Sequence, residues 1–478
     1  MAEETLTPDL CVIGGGAAGA TLAASAAAAG VPVVLIERDR MGGANLHRGS
    51  VPSQAFLAAA KRVQAIRQAA GFGITAGEPE IDFGRVRDQV QKMIASLAPN
   101  DSETRLAALG VRLIKGDARF IDAVTILVGN LQVRARRFVL ATGSSPTVPP
   151  IPGLKETSYF TSDSIFGLDE RPRHLIVLGA GPTGLELAQA FRRLGAEVSV
   201  LEAGRPLDKE DSECAGIVLE TLAREGIAIH CGVEVERVER VKRGAGSVHV
   251  AFSSAGTKRT IEGSHLLLAT GRRPNIDELG LEAAGIEYDA HGIHVGRNLR
   301  TANRRVYAIG DAAGGLKLTH LARWHARLVL RNVLFRARIR AAADWMPRVT
   351  FTDPELAQVG LREDEARLRH GRIRVQRWPY RENDRAEIER QGKGMIKLVT
   401  TPRGRIVGAT IVGAEAGELI GTWALAIAKG MNVRTLAELV LPYPTRSEIG
   451  QKAALNFFAR SLTNRWVQRI IRALRTFG

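Results

Sequence analysis

The sequence predicts an α/β protein with two Rossmann-like dinucleotide-binding domains. The main observation is a pattern that occurs twice. LCVIGGGAAGATLAASAAAAGVPVVLIE and LIVLGAGPTGLELAQAFRRLGAEVSVLE each read as apolar strand, glycine turn, helix, second strand and terminal acid. Two further observations agree: 478 residues give room for about three domains, and a 45% hydrophobic, 24% charged composition suits a chain with a full core.

In the first copy, Gly14, Gly16 and Gly19 form G-x-G-x-x-G. Gly14 permits the tight turn, Gly16 lets a pyrophosphate approach the backbone, and Gly19 lets the helix pack on the strand. Ala17 and Ala18 open the helix, whose free N–H groups and partial positive charge suit phosphates. Glu37 ends the second strand, where a carboxylate accepts hydrogen bonds from a ribose diol, and Arg38 follows it. In the second copy Gly179, Gly181, Gly184 and Glu202 repeat the arrangement, with Thr183 in the first helical turn. The acid lies 23 residues after the first glycine in both copies. A single such motif is a weak signal; two in the same context are a strong one. The chain is expected to bind two dinucleotides, and FAD with a nicotinamide nucleotide is the natural pair.

Composition argues against several other classes. The start, MAEETLTPDL, is acidic and lacks an apolar run, so no secretory signal is expected. The stretch TLAASAAAAG is too short to span a bilayer. A cytoplasmic location is expected. Cysteines stand at positions 11, 214 and 231, none in a CxxC or CxxxxC pair, and read as reduced and structural. No His/Cys cluster has ligand spacing, so no metal is expected. The net charge of +16 is mostly scattered arginine with no binding motif, so nucleic acid is not an expected partner.

FVLATGSSP (138–146) and LLLATGRRPN (266–275) are apolar strands ending in Ala-Thr-Gly, and VYAIGDAA (306–313) is a strand running into Asp311. With TSDSIF (161–166), FTDPELAQVG (351–360) and GATIVGAEAGELI (408–420), they make a set. The set resembles the pyridine nucleotide–disulfide oxidoreductase family, in the branch of lipoamide dehydrogenase and mercuric reductase, over nearly the whole chain. The resemblance implies FAD in the first dinucleotide fold and NADH or NADPH in the second. For FAD it adds Gly43, Ala44, Asn45, Ala118, Ala141, Thr142, Gly143, Gly310, Asp311 and Leu318, with Thr319 and His320 beside the flavin ring. For the nicotinamide nucleotide it adds Glu186, Gly271 and Arg272. It also implies the organisation: 1–150 FAD-binding, 151–270 NAD(P)-binding, 271–345 a return to the FAD-binding domain, and 346–460 an α+β dimerisation domain that makes a homodimer.

The sequence departs from that family where thiol chemistry is done. GGANLHRGSVPSQAFL (42–57) has no cysteine. The family's two cysteines, with four residues between them, fall on Asn45 and Ser50. Neither side chain cycles between thiol and disulfide. The family's lysine, which pairs with the acid at Glu186, falls on Gln54. The partner-supplied histidine of the C-terminal acid/base pair falls on Tyr443, while Glu448 remains. Glu186, Gln54, Asn45, Ser50, Tyr443 and Glu448 are therefore the candidate catalytic residues, with His47 as a further polar contact. The expectation is a flavoenzyme that passes electrons directly to a non-thiol acceptor, a quinone fitting best. Mercuric ion is disfavoured because no thiolate pair can hold it. The alternatives are a soluble pyridine nucleotide transhydrogenase or lipoamide dehydrogenase-like activity, and a non-catalytic flavin- or nucleotide-binding regulator. Glu202 favours NADH over NADPH by repelling a 2′-phosphate, with Arg205 close enough to soften the effect.

Beyond the resemblance lies SLTNRWVQRIIRALRTFG (461–478). From Gln451 to Gly478 there are six cations (Lys452, Arg460, Arg465, Arg469, Arg472, Arg475) and no acid. Read as a helix at about 100° per residue, Leu462, Trp466, Val467, Ile470, Ile471, Leu474 and Phe477 share one face. Arg465, Arg469, Arg472 and Arg475 share the other. A basic amphipathic helix of this kind suits a peripheral membrane anchor; docking on the protein's own dimer is the competing expectation.

Overall fold

The computed structural model describes residues 4–241, 247–337, 339–341, 345–462 and 465–476. Two five-stranded parallel sheets organise it. The first runs Val306–Ala308, Arg137–Leu140, Leu10–Ile13, Val33–Glu37, Val111–Lys115. The second runs Phe160–Thr161, His265–Leu268, His174–Leu178, Glu197–Glu202, Ala228–Cys231. Each strand that precedes a glycine turn is central. Leu10–Ile13 is buried throughout, because a parallel strand covered on both faces must be an unbroken apolar run. The Ala-rich helix Ala17–Ala28 packs beside Thr319–Phe335 in one core, its small side chains permitting the close approach.

The chain passes between the sheets through an antiparallel pair, Ser144–Pro146 with Arg272–Pro274. A C-terminal antiparallel sheet follows, ordered Arg348–Thr350, Glu355–Gly360, Ile406–Gly413, Met395–Thr400, Arg374–Pro379. Helices Ala416–Ala428 and Glu448–Leu462 share its core through Trp423, Ile449, Ala453 and Phe457. The mixed α/β class with a C-terminal α+β unit is as expected.

A polar seam joins the second parallel sheet's layer to this C-terminal sheet. Helix Pro182–Arg193 presents Glu186, Gln189 and Arg193 on one face, as spacings of three and four residues dictate. Gln189 donates to the Asp353 carbonyl at 2.7 Å and accepts from the Asp353 N–H at 2.7 Å. Arg193, its side chain 5% exposed, bridges Glu225 at 2.6 Å and Asp353 at 2.9 Å. Beside them, Lys397 Nζ lies 2.8 Å from Asp211, 3.1 Å from Glu213 and 3.0 Å from Glu363.

The tail differs from the expected single helix over 461–478. One helix, Glu448–Leu462, carries the core contacts, and a second, Arg465–Leu474, stops early. It ends where the Thr476 N–H turns back onto the Ala473 carbonyl, an i→i+3 closure that replaces another helical turn. Phe477 lies outside the described residues.

Arg193 has two acids as partners in a buried site, so its loss leaves Glu225 without its charge partner. Arg193→Ala should destabilise the protein by about 3 kcal/mol, the usual scale for breaking a buried pair. A denaturation midpoint within error of wild type would show that the seam contributes little.

Candidate functional site

Each glycine turn is built from a forced backbone geometry. Gly14 and Gly179 sit at φ +104° and +103°, where an L side chain is strained. A Cβ on Gly19 would meet the Gly14 carbonyl oxygen at 1.9 Å, and one on Gly184 would meet that of Gly179 at 2.0 Å. The acids pin both turns. Glu37 accepts from Gly15 N–H at 2.6 Å and Asp39 N–H at 2.8 Å. Glu202 accepts from Ala180 N–H at 2.6 Å and Gly204 N–H at 2.8 Å. Each carboxylate oxygen has a second lone pair, so both acids still offer acceptors to a ribose diol.

The middle glycines leave room. Around a Cβ placed on Gly16 the nearest neighbour is the Gly43 Cα at 3.9 Å, and around Gly181 nothing lies within 4 Å. Helices Ala17–Ala28 and Pro182–Arg193 start with no side-chain cap. Both therefore present uncapped N–H groups beside an open backbone, which is the fit a pyrophosphate needs. Arg38, after Glu37, is exposed.

Around the first turn the structure gathers most of the expected residues. Ala141, Thr142 and Gly143 follow strand Arg137–Leu140, and the Thr142 hydroxyl donates to the Asn275 carbonyl at 2.6 Å. Asp311, in the turn Gly310–Ala313, accepts from the Ser144 hydroxyl at 2.6 Å. Asn45, in the short helix Gly43–His47 that also holds Ala44, accepts from the Thr319 hydroxyl at 3.0 Å. Thr319 begins helix Thr319–Phe335 directly after Leu318. His320 is exposed and bonds the Pro347 carbonyl at 2.8 Å, and His47 bonds that of Met41 at 2.8 Å. Ala118 is buried under the first sheet, 8% exposed, and packs in the core with Ile13 and Ile36. Ser50 is exposed at the start of helix Ser50–Arg67.

Two of the expected residues have protein partners that the sequence did not announce. Arg272 is expected at the nicotinamide nucleotide, yet its guanidinium is held by Asp163 at 2.7 Å, the Ser144 hydroxyl at 2.9 Å and the Ser144 carbonyl at 2.7 Å. It braces the crossing strands and, through Ser144, Asp311; Gly271 beside it stays open, with nothing within 4 Å of a Cβ. Glu186 is the acid whose family lysine falls on Gln54. Its carboxylate accepts from the Phe351 N–H at 2.8 Å, because the C-terminal sheet brings that amide onto the helix face.

Comparison with known proteins decides the lineage. The family described as "Pyridine nucleotide-disulphide oxidoreductase" matches residues 8–326, and its dimerisation domain matches residues 346–454. The chain belongs to this family. It is 34% identical over 455 residues to a mercuric reductase of Lysinibacillus sphaericus, covering 94% of this chain and 82% of that protein. It is 30% identical over 456 residues to the dihydrolipoyl dehydrogenase of Bacillus subtilis, covering 94% and 98%. Among solved structures, LpdA from Mycobacterium tuberculosis is similar with a TM-score of 0.86 at 28% identity, covering 95% of this chain and 100% of that one. The HOCl-induced flavoprotein disulfide reductase RclA from Escherichia coli is similar with a TM-score of 0.82 at 27% identity, covering 94% and 99%. The family uses FAD and NAD(P)H, and its members are flavin-dependent oxidoreductases. Its dimerisation domain supports a homodimer.

Sequence reading missed the surroundings of Glu186. Lys61 Nζ, two helical turns past Gln54, lies 2.9 Å from Glu355, and its charge also reaches Glu186. The position expected to lack a cation therefore has one at one remove. The readable signal was Glu186, Gln189 and Arg193 at helical spacing on one face of a largely buried helix. His325 was also missed: it is 8% exposed, and its Nδ1 accepts from the Gly310 N–H at 3.2 Å beside Asp311. Burial pulls its pKa down to about 4, so it stays a neutral acceptor. At the other end of the chain, Tyr443 is 71% exposed and its hydroxyl donates to Asp384 at 2.8 Å, while Glu448 accepts from the Thr445 N–H at 3.4 Å.

Burial pushes the Glu186 carboxyl from the usual 4.5 up to about 7, against the pull of the Phe351 N–H and Lys61. The folded value lies above the unfolded one, so folding binds this proton. The contribution to stability is full below about pH 4.5 and is lost as pH rises through about 7. At roughly 1.36 kcal/mol per unit the loss is about 3 kcal/mol. Glu186→Gln keeps an acceptor for Phe351 and should flatten this fall; an unchanged stability–pH profile would contradict the assignment.

Glu202 is ready to meet the adenosine ribose, and a 2′-phosphate would face its charge. NADH should give the higher kcat/KM, and Glu202→Ala should narrow the difference while raising KM for both nucleotides, since the turn loses its brace. Equal or better wild-type turnover with NADPH overturns this.

Proposed function

We propose that this protein is an NAD(P)H oxidoreductase that passes electrons from reduced FAD directly to a quinone-type acceptor, without a redox disulfide. The observation that carries the reading is the composition of the segment at the flavin turn. Asn45 and Ser50 stand where the family places its cysteines, and Asn45 is held by Thr319 at 3.0 Å. The three cysteines are elsewhere and free: Cys11 in the first sheet, Cys214 in helix Ser212–Arg224, and Cys231 in the second sheet.

Residue roles follow from this placement. Gly16, Ala17, Ala18 and Glu37 hold the adenosine and pyrophosphate of FAD, and Asp311, fixed by Ser144, holds its ribityl side. Gly181, Thr183 and Glu202 hold the nicotinamide nucleotide, and Glu186 orients its ring. Bound FAD supplies the chemistry of accepting a hydride and returning two electrons. The quinone gains those electrons and two protons, one from the nicotinamide hydride and one from water, and leaves as quinol while NAD(P)H leaves as NAD(P)⁺. Asn45, Ser50, His47 and the partner subunit's Tyr443 line the space where the acceptor docks. The reading puts the enzyme in the cytoplasm, in peripheral contact with the membrane that dissolves the acceptor.

A reductive titration tests it. One equivalent of dithionite should bleach the FAD fully, with no long-wavelength thiolate–flavin band, and NADH oxidation should be stimulated at least tenfold by a water-soluble quinone. A stable charge-transfer band at half reduction would overturn the reading. Bound FAD and NADH with no turnover on any quinone would leave the regulator alternative standing.

A further inference from the structure

Helix Arg465–Leu474 lies past residue 454, where the dimerisation-domain match ends. Four of its large apolar side chains are exposed. Trp466 is 71% exposed, Ile470 56%, Ile471 42% and Leu474 65%. Leucine, isoleucine and tryptophan at the spacing i, i+4, i+5, i+8 fall along one stripe. Arg469 and Arg472 fall on the opposite stripe and Arg475 follows the helix, while the chain from Gln451 onward carries no acid. Arg469 reaches over the Trp466 ring, its guanidinium carbon 5.7 Å from the centroid, so charge and aromatic ring meet at the border of the two stripes.

We infer that this helix is the docking surface for an anionic lipid bilayer. The inference deepens the peripheral contact proposed above and rests on it only for its purpose. Three features select this occupant. Ten residues at about 1.5 Å rise make a rod of roughly 15 Å, half of what crosses a bilayer, so the helix lies in the interface plane. No described helix of the chain is long and apolar enough to cross a membrane. The charge is of one sign, which complements anionic headgroups, whereas a second copy of the same helix would meet it with like charge. Tryptophan at the stripe's border suits the headgroup level. The remaining residues of the helix carry the arginines toward phosphate while Ile470, Ile471 and Leu474 enter the acyl boundary.

Co-sedimentation of the FAD-loaded full chain with vesicles tests the surface. Vesicles of phosphatidylcholine mixed with phosphatidylglycerol should pellet the protein, and phosphatidylcholine alone should do so far less. Each arginine contributes about fivefold at low salt, so Arg469→Gln, Arg472→Gln and Arg475→Gln together should weaken binding on the order of 100-fold. Raised salt should act in the same direction. Ile470→Glu with Ile471→Glu should also release the protein from anionic vesicles. Both variants should keep wild-type turnover of a water-soluble quinone. The wild-type protein separates this inference from the proposed reaction: vesicle binding without quinone turnover condemns the reaction alone, and quinone turnover without vesicle binding condemns the surface alone. Equal pelleting with neutral vesicles, no pelleting with either, or a variant that turns the dimer into monomers in sedimentation velocity would overturn the inference, the last by assigning the helix to the partner chain.

Discussion

The structure depends on a backbone contact that only glycine allows. At both turns the helix starts so close to the preceding strand that a Cβ at Gly19 or Gly184 would meet a carbonyl oxygen at about 2 Å. That closeness places the helix N-terminus over the carboxyl end of the sheet, where ligands of open α/β sheets bind. The terminal acid completes the device. Glu37 and Glu202 bond the turn's own amides, so the same carboxylate that offers an acceptor to a ribose also fixes the loop that meets the pyrophosphate. Binding and local structure are therefore not separable at these positions. Their repetition in two sheets that share the order of four strands, with the outermost strand taken from later in the chain in one and from earlier in the other, gives two nucleotide sites of one design.

The second sheet's layer meets the C-terminal sheet through a shared apolar cluster and through directional polar bonds. Gln189 exchanges two hydrogen bonds with the Asp353 backbone, and Arg193 spans Glu225 and Asp353. Glu186 takes the third place on that face through Phe351. A buried carboxylate costs most when it has no donor, and here the donor comes from a different layer of the protein. The position of Glu186 is thereby tied to the packing of the C-terminal sheet, and its raised pKa follows from the same burial.

The sequence disclosed what local spacing controls. Two glycine motifs with acids at equal spacing specified the parallel sheets and the nucleotide ends, and the strands into Ala-Thr-Gly and Gly-Asp were legible as apolar runs. Contacts set by the meeting of distant layers were not legible. Nothing near Gln54 announces that Lys61 pairs with Glu355, nor near Arg272 that Ser144 and Asp163 claim its guanidinium. The link between Asn45 and Thr319 spans 274 residues, and only the fold brings the two together. Helical periodicity of the tail was visible, but its stop at Leu474 was not, since no glycine or proline marks it.

The positions that depart from the family's thiol chemistry bear on whether the site is derelict. A site left by drift tends to strand polar atoms, because a substitution removes one partner and leaves the other buried and unpaired. Of the departing positions, Asn45 has Thr319 and the exposed Tyr443 has Asp384, while the retained Glu186 has Phe351. Among the described residues, buried side-chain atoms without a partner occur at His249, Arg348, Gln358, Arg362, Gln376, Trp378 and Arg446, away from both glycine turns. The turns themselves keep open backbone and pinned acids. One part of the site differs from the family while the glycine turns keep their geometry. That pattern is what the proposed reaction requires, since it uses both nucleotides and no thiol.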